Sequence, residues 1–152
     1  MKRYYDVWFL LNHHMKRFDE VQIAEIIEYN KIECSRRKES FGVKTELLRD
    51  IINKVNSLSD LKNDKERILE QASTFMGLIV FEQPFTNANK STATAVTIDF
   101  LYSNGFELDL NNSKAQSELL DILEKIMYLF EDESENGVLM VRTFMEKYAK
   151  SH

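Results

Sequence analysis

The 152-residue chain carries 20 Lys and Arg against 25 Asp and Glu, a net charge of −5. That length suits one domain, residues 1–152, with a real buried core, and the acidic balance speaks against a general nucleic-acid binder, which needs clustered cations to neutralise phosphates. Four glycines and one proline are few breakers for a chain that is 43% hydrophobic, so an all-α globule is expected.

In chain order, Val7, Leu10, Leu11 and Phe18 fall at roughly helical spacing. The opening MKRYYDVWFLLNHHMKRF lacks the pattern of a cleavable signal. No run approaches the ~18 apolar residues of a membrane span. Adjacent residues on a helix point about 100° apart, so His13 and His14 make a poor metal pair and are read as packing residues. Asp19 is an expected N-cap for a helix carrying Val21, Ile23, Ala24, Ile26 and Ile27. Cys34 is the sole cysteine. It allows no internal disulfide and suits a reducing, cytoplasmic setting. Its neighbour Glu33 raises a thiol pKa rather than lowering it, so Cys34 is read as structural. The polar stretch 34–43, with Arg36-Arg37-Lys38, is expected to be a solvated loop.

Leu47, Leu48, Ile51, Ile52 and Val55 mark a further helix, with Leu58 to Leu61 as a connection. Ile68, Leu69, Ala72, Phe75, Met76, Ile79 and Val80 mark the next. Pro84 disfavours helical geometry at Gln83, so that helix should stop near Phe81 or Glu82. A helix from about Asn89 to Ser103 should close at Asn104-Gly105. Phe106 to Leu110 reads as a short strand or an extended link. Leu119, Leu120, Ile122, Leu123, Ile126, Met127 and Phe130 mark another helix. EDESEN, residues 131–136, is expected as an acidic loop before a last helix over Val138 to Tyr148.

Residues 83–91, QPFTNANKS, stand out. They leave one helix at a proline and enter another that begins with an uncharged, small-residue run, STATAVTI. Such a helix can be buried on nearly all sides. Its first N–H groups have no helical partner and favour anions. Asn87 or Asn89 can cap it, and Lys90 brings a cation to the same place.

The stretch GLIVFEQPFTNANKSTATAVTIDFLYSNGFEL resembles the Fic/Doc family, and more closely its Doc branch. Family members carry a loop of the form H-x-F-x-(D/E/N)-(G/A)-N-(G/K)-R, then a small-residue helix ending in a phrase like FLxxNG. The similarity runs over roughly residues 72–110. It implies a helical bundle around a central buried helix, with the loop between two central helices. One short β-hairpin over the loop would align target segments, and residues 36–45, where Phe41 and Val43 alternate, are the candidate for it. It also implies transfer of AMP, or in the Doc branch phosphate, to a hydroxyl of a protein target, with ATP or another nucleotide and Mg²⁺ as cofactors. Toxin–antitoxin pairing with a protein partner is a further implication.

Carried over residue by residue, Phe85 is the structural peg, and Thr86, Asn87, Ala88, Asn89, Lys90 and Ser91 are the phosphate-binding stretch. Asn87 stands where the family has a metal-holding acid, and a neutral amide is the weaker Mg²⁺ ligand. Ser91 replaces the arginine, removing the bidentate phosphate fork. Gln83 replaces the catalytic histidine. A glutamine has no group that titrates near neutral pH, and positioned base catalysis is worth about 10²–10⁴ in rate. The expectation is a weakened or inactive transferase that still binds nucleotide phosphate. The alternative is a non-catalytic protein-interaction module. Glu82 is a less favoured substitute base, since its side chain should leave the loop in another direction. Ser35 to Glu39 has the spacing of the family's inhibitory motif, (S/T)-x-x-x-E-(G/N). Ser40 breaks its final position and no loop arginine exists to pair with it, so it is read as a chance match.

Overall fold

The computed structural model describes residues 15–60, 63–128 and 134–152. His13, His14, the first amphipathic run up to Leu11, Leu61 and Phe130 lie outside them. Six α-helices are present among the described residues: α1 (Glu20–Arg37), α2 (Thr45–Asn56), α3 (Asp64–Glu82), α4 (Asn89–Ser103), α5 (Ser113–Tyr128) and α6 (Ser134–Tyr148). Strands β1 (Phe106–Leu108) and β2 (Ala149–Ser151) complete the list. The fold is all-α, as composition and the resemblance led us to expect.

α1 begins where Asp19 accepts from the N–H groups of Val21 and Gln22, a side-chain cap that satisfies two orphan donors. It continues to Arg37, past the loop expected from residue 34, and stops where Lys38 turns left-handed at φ 57° and the Glu39 N–H returns to the Cys34 carbonyl. α2 buries Leu48, Ile51, Ile52 and Val55, one stripe at helical spacing. The connection after it is a short 3₁₀ turn, Ser57–Asp60. α3 is capped by Asn63, whose side chain accepts from the Glu66 N–H. It ends at Glu82 because Gln83 adopts φ 50° and Pro84 follows.

α4 is the central element. Every residue from Ser91 to Leu101 is buried, which the small side chains of Ser91 to Ala95 permit, and the buried Asp99 carboxylate accepts from the Met15 N–H and the Ser103 hydroxyl. It packs chiefly on α3 and also on α1. Phe18 stacks on Phe75 of α3 at 4.9 Å and meets Phe100 of α4 at 4.8 Å. Each such buried aromatic contributes roughly 1.5–3 kcal/mol through burial. α6 packs on α3, and Gly77 is the close approach: a Cβ there would lie 2.9 Å from Val138 Cγ2.

The strand expected at Phe106 forms, but its partner lies over 40 residues on by sequence number. β1 and β2 pair antiparallel, Phe106 with Ser151 and Leu108 with Ala149. No tight hairpin forms over residues 36–45. Cys34 to Arg37 belong to α1, while Val43 makes an isolated antiparallel bridge to Phe85. Ser134 to Asn136, read as part of an acidic loop, are already helical. No helix among the described residues is long and apolar enough to cross a membrane.

Candidate functional site

The loop between α3 and α4 is held from several sides. Phe85 is 3% exposed and sinks into the core. Asn89 closes the turn over it, accepting the Phe85 N–H at 3.0 Å and donating to the Phe85 carbonyl at 2.8 Å. On the outer side, residues 40–44 form a strap. The Thr86 N–H donates to the Gly42 carbonyl (2.9 Å), the Lys44 N–H to the Pro84 carbonyl (2.8 Å), and Asn87 Nδ2 to the Ser40 carbonyl (2.9 Å). From within, the buried Asn30 of α1 donates to the Asn87 carbonyl (2.8 Å) and to Thr92 Oγ1 (3.0 Å).

Neither candidate asparagine caps α4. The N-cap residue is Ala88, left-handed at φ 64°, with no side-chain cap bond. Asn87 spends its amide on the strap and Asn89 spends its own on Phe85. The first bond into the helix runs from the Thr92 N–H to the Ala88 carbonyl. The N–H groups of Asn89, Lys90 and Ser91 precede it, so the positive end of the helix is uncovered by any cap.

In front of the loop lies a cavity of about 370 Å³. Gln83, Thr86, Asn87, Ala88, Asn89 and Lys90 line one side, Leu120 and Met127 of α5 another, and Arg37 reaches it from the end of α1. Six sequence-derived site residues therefore converge. Phe85 and Ser91 do not line it. Ser91 is 3% exposed and its hydroxyl donates to the Ala88 carbonyl at 3.3 Å. The side chain expected at the phosphate thus braces the turn instead. Glu82, the substitute base considered above, does not line the cavity either.

Among the described residues the lining brings two cations, the Gln83 carboxamide and the Thr86 hydroxyl, with no carboxylate and no imidazole, while the Asn87 and Asn89 amides that also border it are already bonded to Ser40 and Phe85. This donor set suits an anion. It does not suit Mg²⁺, which takes oxygen ligands and carboxylates above all. Among the described residues no three His, Cys, Asp or Glu groups gather into a metal site.

Arg37 is the cavity-lining residue that inspection of the basic run Arg36-Arg37-Lys38 missed. Its signal was available: Ile26, Asn30 and Glu33 are buried, and Arg37 extends that stripe by one further i+4 step. Glu33, 1% exposed, pairs with both guanidinium groups, Arg37 Nε at 3.1 Å and Arg36 Nη1 at 3.3 Å. Such pairing is what permits a buried carboxylate. Cys34 is buried beside it, donating to Asn30 Oδ1 and the Asn87 carbonyl. Burial first, then the Glu39 and Glu33 carboxylates, push its thiol above the usual range against the opposing pull of Arg37. A thiol held protonated is a poor nucleophile, consistent with a structural role.

No family model matches the chain, and no curated protein or solved structure matches it.

Proposed function

We propose that the chain is a Fic/Doc-like protein with a degenerate loop, one that binds the phosphates of a nucleotide and transfers AMP or phosphate to a protein hydroxyl weakly or not at all. The observation that carries this reading is the cavity at residues 83–90. The loop that resembles the family motif borders a cavity together with Lys90 and Arg37, at the start of a helix without a side-chain cap, and among the described residues no group of the lining can take a proton near neutral pH. Gln83 lines the cavity at the position where the family motif has its base, which supports a reading in which the phosphate loop is retained without its proton acceptor. The left-handed Ala88 adds support. An L-residue held at positive φ is costly, and the family motif has Gly or Ala at this place. The donor set offers no carboxylate to Mg²⁺, so a metal in this reading enters on the nucleotide's own phosphates. A cytoplasmic setting and a protein target or partner belong to the same proposal.

The test is a calorimetric titration with ATP and Mg²⁺, alongside incubation with labelled ATP and a hydroxyl-bearing protein. Binding without label transfer is the expected result. Robust transfer by the unaltered chain would overturn the degenerate-site reading. Absence of any nucleotide binding, together with a tight protein partner recovered by pull-down, would replace it with the interaction module.

A further inference from the structure

We infer that Arg37, reaching the cavity from the end of α1, is the phosphate-binding guanidinium that position 91 does not supply, and that the ligand is an organic di- or triphosphate. The inference rests on the reading of the loop as a phosphate site and deepens it by naming a residue outside the motif. Three observations combine. Among the described residues Arg37 and Lys90 are the two cations of the lining, and they come from different helices, the end of α1 and the start of α4. Arg37 is paired electrostatically with the buried Glu33, whose Oε1 lies 3.1 Å from its Nε without the geometry of a hydrogen bond, so a fixed counter-charge sits beside the guanidinium before any ligand arrives. Its Nη1 edge faces Glu39, 3.6 Å away and 37% exposed. A solvent-exposed pair of that length is worth roughly 0–1 kcal/mol, and a phosphate dianion can displace it. Glu33 also binds Arg36 at 3.3 Å, so one carboxylate is shared between two guanidinium groups and Arg37 keeps hydrogen-bonding capacity to spare.

The size and walls of the cavity select the ligand class. A volume of about 370 Å³ falls within the roughly 300–1,000 Å³ typical of small-molecule sites and exceeds what one inorganic phosphate fills. Leu120 and Met127 present apolar surface from α5, suited to a base or another flat organic group, while the cations and helix amides face the phosphates.

The experiment is calorimetry of the full chain with ATP and, separately, with inorganic pyrophosphate, comparing wild type with Arg37→Ala, Arg37→Lys, Arg36→Ala and Lys90→Ala. Arg36 shares the Glu33 carboxylate but does not line the cavity, so it controls for loss of the ion pair alone. Removing one charge-assisted contact predicts ATP binding weakened by about tenfold or more in Arg37→Ala. Arg37→Lys should be intermediate, and Arg36→Ala should stay within about twofold of wild type. Circular dichroism confirms that each variant is folded, and Arg37→Lys preserves a positive charge beside Glu33 should Arg37→Ala unfold. Wild-type affinity in Arg37→Ala, with Lys90→Ala weakened, would overturn the assignment of Arg37 and leave the loop reading standing. Failure of wild type to bind either probe at millimolar concentration would overturn both. Pyrophosphate binding as tight as ATP would overturn the choice of an organic ligand.

Discussion

Asn89 is clipped to Phe85 by two hydrogen bonds, one accepted and one donated, across a five-residue turn. Both backbone groups of Phe85 are thereby satisfied without a cap on α4. Asn89→Ala removes both bonds and leaves the Phe85 N–H and carbonyl to find water. The expected cost is about 1–3 kcal/mol, read as a lower urea midpoint with unchanged slope. Asn89→Asp should recover less than a full clip, since a carboxylate accepts from the N–H but repels the carbonyl. An Asn89→Ala midpoint equal to wild type would show that the turn does not depend on the clip.

Ala88 sits at φ 64°, where a Cβ costs roughly 1–2 kcal/mol. Glycine escapes that cost but gives back about 0.5–1 kcal/mol through the freedom it gains unfolded. Ala88→Gly is therefore expected to be stabilising by about 0.5 kcal/mol, and Ala88→Val destabilising by more than about 1 kcal/mol. Equilibrium denaturation of the pair decides it, and a loss of stability in Ala88→Gly would contradict the strain.

The strap approaches the loop most closely at Gly42. A Cβ added there collides with Thr86 Oγ1 and lies 3.3 Å from Thr86 Cβ, while the Thr86 N–H is bonded to the Gly42 carbonyl. Gly42→Ala should destabilise by about 1–2 kcal/mol. A double-mutant cycle with Thr86→Ala should return part of that loss, because the colliding hydroxyl is gone. Additive effects would mean that the strap moves aside freely.

The two departures from the family motif differ in how readily they can be reversed. Gln83 is exposed and lines the cavity, so Gln83→His can present an imidazole there, with label transfer expected to rise by up to about 10²-fold over wild type. Ser91 is buried, so Ser91→Arg forces a long cation into packed surroundings and is expected to lower stability by about 1–3 kcal/mol. Thermal melts of the two single variants separate these outcomes.

Away from the loop, Glu118 of α5 holds α6 through Lys147 Nζ (3.0 Å) and the Tyr148 hydroxyl (2.9 Å). The Lys147 bond first, then Tyr148, hold the Glu118 carboxyl below its ordinary value, and the Glu118 bond holds the Lys147 ammonium above its own. The Glu118 contribution is complete above the unfolded carboxylate value of about 4.3 and is lost as pH falls through the lower folded value. The Lys147 contribution is complete below about 10.4 and is lost as pH rises through the higher folded value. The stability gap between wild type and Glu118→Gln should therefore be widest and flat across neutral pH and should close toward acid. A gap that persists unchanged at pH values well below the carboxylate range would rule the pairing out.

Much of the frame was legible because its signals are local. Pro84 after a periodic apolar run stops α3, and the uncharged run Ser91 to Ile98, followed at some distance by Asn104-Gly105, delimits the buried α4 at Asn89–Ser103. What stayed hidden depends on partners distant along the chain. The strap at 40–44 has no hairpin turn to announce it, since it meets Phe85 across a gap filled by two helices. β1 gave a pattern of alternation with no clue that residues 149–151 would pair with it. Asn87 and Asn89 were read as caps because local chemistry favours that use, and tertiary contacts to Ser40 and Phe85 diverted both. Arg37 looked solvated when read as part of a charge run, and its role emerges only when α1 is extended far enough for the buried stripe to include it.

Asn30 ties three parts of the site together. One amide group grips the backbone of the loop at Asn87 and the second residue line of α4 at Thr92, while its oxygen receives the Cys34 thiol. α1 also delivers Arg37 to the lining of the cavity. α1 thus contributes to the cavity twice, through the loop backbone it braces and through the arginine it carries.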